Sequence, residues 1–152
     1  MKKIRACAII IKEDQVILLW RKINNNSYFV FPGGGKESNE TLEEAVIREA
    51  FEETSIKVKI DRFLYKLIDE NSEHNFYLCS YISGEPKLGT YNEHLETSEN
   101  NQYKPMWKGI DEMSNLPILP LEVRDWFIKD YKNNFAGVPR EETILINDRR
   151  KL

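Results

Sequence analysis

The chain has 152 residues, 41% hydrophobic and 31% charged, with a formal net charge of −3. That length is expected to give one domain, spanning 1–152, with a core of its own. The composition is that of a globular protein, and the slight negative balance without a basic patch argues against nucleic acid as a partner. No stretch approaches the ~20 apolar residues of a membrane span, so no membrane partner is expected.

The segment Ile4 to Ile11 is apolar but interrupted by Arg5 and followed at once by Lys12-Glu13-Asp14. It reads as a first strand rather than a signal peptide, and the expected location is the cytoplasm. Cys7 and Cys79, both in apolar strand-like runs, are then expected to be reduced core residues. A turn at Asp14-Gln15 leads to a strand over Val16 to Trp20, giving a hairpin. Ile23 to Ser27 reads as a polar loop and Tyr28 to Phe31 as a short strand. Pro32 ends that strand, and Gly33-Gly34-Gly35 follow as a glycine loop.

Thr41, with Glu44 three residues on, fits a capping box. Leu42, Ala45 and Val46 form an apolar stripe at helical spacing, and the helix is predicted to run to Thr54. Val58 to Ile68 and Phe76 to Ile82 read as long strands. Ser83 to Gln102 is a polar loop of a length that is often functional. Met106 to Ile110 reads as another strand, and Pro120 suits the first position of a second helix marked by Val123, Trp126, Phe127 and Tyr131. Thr143 to Ile146 is a candidate edge strand, and the segment 136–152 either packs as an edge or pairs with a second subunit in a homodimer. The order of elements predicts an α/β fold, a mixed sheet sandwiched between helices.

The first helix carries the chemistry. At about 100° per residue, with Leu42 at zero, Val46 falls near 40°, Glu49 near −20° and Glu53 near 20°. The two glutamates thus continue the stripe that faces the core, with Glu52 beside them. Glutamates at i, i+3 and i+4 repel one another, and the helix C-terminus disfavours negative charge. A hard divalent cation with oxygen ligands offsets such repulsion. The competing reading, an acidic solvated helix face, is weakened by the glycines just before it. These let backbone approach phosphate or metal closely, with bare carbonyls as further ligands.

From Gly34 there are five residues to Glu40, seven more to Arg48, and then Glu49, Ala50, Phe51, Glu52, Glu53, Thr54, Ser55 and Ile56. This spacing resembles the Nudix box, G-x5-E-x7-R-E-U-x-E-E-x-G-U with U aliphatic, over residues 34–56, and Phe31-Pro32-Gly33 is similar to the strand that leads into it. Ser55 stands where the family has glycine. That position caps the helix, and a serine held there in the left-handed conformation costs about 1 kcal/mol.

The resemblance implies a MutT-like hydrolase that uses Mg2+ or Mn2+ to cleave a diphosphate linkage in a nucleotide-like small molecule. Examples are a nucleoside triphosphate, a nucleotide sugar or a dinucleoside polyphosphate. It implies Glu49, Glu52 and Glu53 as metal ligands with the Gly33 carbonyl, Arg48 as the residue orienting them, and Gly34 and Gly35 against the substrate. Glu40 takes a structural or outer role. The implied chemistry is attack of water on phosphorus, with Glu53 or Glu52 as first choice for the base. Glu93, Glu96 and Glu99 in the long loop are later candidates. Trp20, Tyr28, Phe29, Tyr103 and Trp107 are candidates to stack on a base, each more often a packing residue. His74 and His94 lack ligand spacing. A catalytically silent nucleotide sensor is the alternative, but such a domain is expected to lose box carboxylates that this chain keeps. An isomerase on the same fold would need further catalytic groups.

Overall fold

The computed structural model describes residues 2–87 and 101–144. Their strands are β1 (Lys3–Lys12), β2 (Gln15–Ile23), β3 (Asn26–Val30), β4 (Gly33–Gly35), β5 (Lys57–Ile68), β6 (Ser72–Ser83), β7 (Asn101–Gly109), β8 (Ile118–Leu119) and β9 (Arg140–Thr143). Helix α1 spans Leu42–Thr54, α2 spans Leu121–Lys132, and a short 3-10 helix spans Ile110–Asn115. The strands form one mixed sheet in the order β8-β3-β2-β1-β6-β5-β9, with β4 paired to β1 and β7 to β2. The two helices lie on opposite faces, so the fold is the predicted α/β sandwich.

Alternation along β1 builds both faces. Cys7 and Ile9 enter an aromatic-rich core with Phe29, Phe31, Phe76, Val123 and Phe127 on the α2 side. Ala6, Ala8 and Ile10 meet Ala45, Val46 and Ala50 on the α1 side, as the two-residue period of a strand requires. Small residues on both partners let α1 approach the sheet closely, and this brings its glutamates within reach of β4.

Several boundaries differ from the sequence expectation. The Ile23 to Ser27 loop is instead the tip of a tight hairpin: β2 runs to Ile23, β3 begins at Asn26, and Asn24 takes φ 55°, a conformation asparagine tolerates. Gly33–Gly35 is a short strand antiparallel to β1 rather than a free loop. Pro120 is the N-cap of α2 with extended backbone, one residue before the first helical position. Among the described residues the last strand is Arg140–Thr143, parallel to the outer edge of β5; it shares Thr143 with the expected Thr143 to Ile146, and residues 145–152 lie outside the described residues. No helix among the described residues is long and apolar enough to cross a membrane.

Candidate active site

Helix α1 is specified at both ends. Thr41 accepts from the Glu44 amide, and the Glu44 side chain accepts from the Thr41 amide at 2.8 Å, the predicted capping box. At the other end Ser55 adopts φ 64°, ψ 16°, so the left-handed cap is kept although the residue is serine. Its Oγ donates to the Lys87 carbonyl at 3.0 Å, and no basic residue occupies the last helical turn. The dipole penalty on Glu49, Glu52 and Glu53 is therefore not relieved by a cation in the last turn.

Relief comes from Arg48. Its guanidinium grips Glu40 through both oxygens, Nη2 to Oε1 at 2.6 Å and Nε to Oε2 at 3.0 Å. Its Nη1 donates to Glu49 at 3.0 Å and to Glu52 at 3.3 Å, and Nη2 also donates to the Gly35 carbonyl at 3.0 Å. The fork suits this role because it offers five donors in a fixed plane. The hydrogen bond to Glu40 raises Arg48 above its ordinary range, and in return Arg48 lowers Glu40.

Strand β4 supplies the opposite wall. Ala6 pairs with Gly34, and the Ala8 and Lys36 amides bond the Pro32 and Ile4 carbonyls. The antiparallel pattern then turns the amides and carbonyls of Gly33 and Gly35 away from β1. The Gly33 amide donates to Glu53 Oε1 at 2.8 Å, and the Gly33 carbonyl faces the same side. A Cβ on Gly34 would lie 2.3 Å from Glu49 Oε2, and one on Gly33 2.7 Å from the Ala6 carbonyl and 2.8 Å from Cys7 Sγ. The glycines are thus required by close approach. Gly35 has open space at that position.

Burial raises the Glu49 carboxyl and pushes Glu53 up to about 7, with Glu49 adding to the rise and the Gly33 amide, Arg5 and Arg21 opposing it. Among the described residues no three carboxylate, imidazole or thiol groups close around one point, and Arg48 Nη1 lies between Glu49 and Glu52. The donor set nevertheless suits a hard cation. Carboxylate oxygens and an outward strand carbonyl lie together, and one arginine faces Glu40, Glu49 and Glu52.

Beside the glutamates opens a cleft of about 820 Å³ between β1 and the β2–β3 hairpin, lined among others by Lys3, Arg5, Arg21, Tyr28 and His74. Arg21 sits in register with Tyr28 on β3 and Tyr103 on β7. Its guanidinium carbon lies 4.2 Å from the Tyr103 ring centre, and its Nη2 donates to the Tyr103 hydroxyl. Of the stacking candidates, Tyr28 lines this cleft and Tyr103 braces Arg21. Phe29 is core, Trp20 packs against it, and Trp107 meets Tyr81 on the α1 face. Cys7 is buried as expected and pushed up to about 12 by burial, yet it also lines the cleft beneath Gly33. Cys79 is wholly buried. Glu93, Glu96, Glu99 and His94 lie outside the described residues. Sequence reasoning missed Lys3, Arg5, Arg21 and His74. The only signal was alternation in β1, which puts Lys3 and Arg5 on the face of Cys7.

The chain is similar to known proteins in sequence and in fold. The family described as NUDIX domain matches residues 1–127. An ADP-ribose pyrophosphatase of Methanocaldococcus jannaschii is 32% identical over 130 residues, 80% of this chain and 69% of the relative. A NUDIX hydrolase from Nitrosomonas europaea superposes with a TM-score of 0.71 at 18% identity, covering 97% of this chain and 80% of that one. A MutT protein from Bacillus halodurans gives 0.62 at 26% identity, covering 96% and 91%.

Proposed function

The chain belongs to the Nudix family and is a pyrophosphohydrolase, and from that premise we propose that it cleaves the diphosphate linkage of a nucleoside diphosphate joined to a further group, using Mg2+ or Mn2+. The observation that carries the reading is the set of α1 glutamates held by one arginine against the outward backbone of β4, beside a cleft lined with basic residues. The relative named for ADP-ribose supports the substrate class.

Glu49, Glu52 and Glu53, with the Gly33 carbonyl, are the groups that would hold the cation. When bound, it supplies charge neutralisation on the diphosphate oxygens and activation of water for attack on phosphorus. Arg48 is a positioning residue that fixes the rotamers of Glu49 and Glu52 while Glu40 anchors its far side. Glu53, half-buried and tied by a single amide, is with Glu52 the first choice for the general base. Arg21, close enough to act electrostatically on Glu53, binds phosphate oxygens entering from the cleft. Residues 1–152 act as one domain.

The test is a panel of nucleotide derivatives assayed for phosphate, pyrophosphate and nucleoside monophosphate, with Mg2+, Mn2+ or chelator and with Glu53→Gln alongside. Metal-dependent turnover of one class, lost in the variant, is the expected result. Tight binding without turnover across the panel would overturn it and leave a nucleotide sensor.

A further inference from the structure

Away from the glutamates the cleft is walled by a row of basic residues on β1. Lys3, Arg5 and Cys7 share one face of β1 and all line the cleft. Cys7 pairs with Gly33 and Arg5 with Gly35, so the row begins at the glutamate end and runs outward. Each two-residue step is about 6.7 Å, which puts Lys3 roughly 13 Å along the strand from Cys7. Across the cleft floor β6 runs parallel, with His74 beside Arg5 and Ser72 beside Lys3.

Asp69, a carboxylate that also lines the cleft, is engaged by other groups. Asp69 Oδ1 accepts from the amides of Asn71 at 2.9 Å and Ser72 at 2.8 Å, and Oδ2 lies 3.2 Å from His74 Nε2. Glu70 is exposed at the cleft rim. Among the described residues neither Lys3 nor Arg5 makes a side-chain ion pair. Neighbouring like charges on one wall repel, and an anion lodged between them relieves the repulsion.

We propose that Lys3 and Arg5, flanked by His74, form a second anion subsite that takes a charged group of the substrate lying beyond the scissile diphosphate. Resting on the hydrolase reading, this names the substrate class: nucleotides whose far portion is itself anionic, such as a third phosphate or a longer phosphate chain, over those ending in a neutral sugar.

The experiment compares kcat/KM for a dinucleoside tetraphosphate, a nucleoside triphosphate and ADP-ribose in the intact protein and in Lys3→Gln and Arg5→Gln. The unmodified protein is expected to favour the anionic substrates. Lys3→Gln is expected to lower the anionic-to-neutral ratio about 10-fold through KM rather than kcat, the scale of one lost charge-assisted hydrogen bond. Preference for ADP-ribose, or a ratio unmoved by Lys3→Gln, would overturn the proposal. If no nucleotide is turned over, the hydrolase reading fails separately. The subsite is then read by calorimetry of tripolyphosphate in chelator. Binding weakened about 10-fold by Lys3→Gln retains it, and no binding to the unmodified protein, or binding that the substitution leaves unchanged, removes it.

Discussion

Both helices carry buried or half-buried acid, and they treat it in opposite ways. On α2, Asp130 is 1% exposed. It accepts from the Tyr65 hydroxyl at 2.7 Å and from Arg140 Nη2 at 2.8 and 3.1 Å, so its charge is matched and both oxygens are used. On α1, Arg48 is shared among Glu40, Glu49 and Glu52, while Glu53 has one backbone amide. A satisfied buried acid ties elements together, here α2, β5 and β9. A cluster with more carboxylate than cation is held short of neutrality by the fold and awaits charge from outside. The difference in charge matching, not burial, separates structural acid from functional acid.

The comparison predicts opposite phenotypes. The largest effect is on Glu53→Gln, which should lower kcat by roughly 10²–10⁴-fold while leaving the melting temperature of the metal-free protein at pH 7 unchanged or higher. Asp130→Ala should do the reverse. Leaving Tyr65 and Arg140 unpaired should cost about 3–5 kcal/mol, read as a melting point lower by roughly 10 °C, with kcat/KM per folded molecule nearly unchanged. Gly34→Ala comes next. The new methyl would displace the Glu49 carboxylate, a flexible side-chain end, so activity should fall roughly 10²-fold, as for a misplacement near 1 Å, with little loss of stability by thermal melting.

A smaller effect follows from pH. Glu53 rises from 4.5 in the unfolded chain to about 7 in the fold, so the folded state binds the proton more tightly. Stability of the metal-free protein should be greatest below pH 4.5 as far as this group is concerned, fall as pH rises towards about 7, and then level off, an effect of about 3 kcal/mol. Thermal melts in chelator should show the decline in the unmodified protein and not in Glu53→Gln, and added Mg2+ should reverse it above pH 7. The smallest effect is at the helix end. Ser55→Gly relieves the left-handed strain but loses the bond to the Lys87 carbonyl, so stability should rise by at most about 1 kcal/mol with kcat unchanged.

What could be read from the chain alone was whatever depends on near neighbours in sequence. The capping box at Thr41, the helix to Thr54, the stripe that carries Glu49 and Glu53 inward, and the left-handed cap at Ser55 are all set within a few residues, and the spacing from Gly34 to Ile56 carried the family. The strands β1, β5 and β6 announced themselves by runs of apolar and β-branched residues, with their ends blurred by a residue or more. Pairing decided the rest. Gly33–Gly35 reads as a loop until β1 lies beside it and makes it a strand whose outward amide and carbonyl meet Glu53 and Arg48. Arg5 reads as an interruption in an apolar strand, and Lys3 falls outside it, until β6 sets His74 next to Arg5 and the β2–β3 hairpin brings Arg21 and Tyr28 across from them. Local periodicity places a side chain on a face of its own element, but which faces meet is settled by contacts between residues far apart in sequence, which no local pattern encodes.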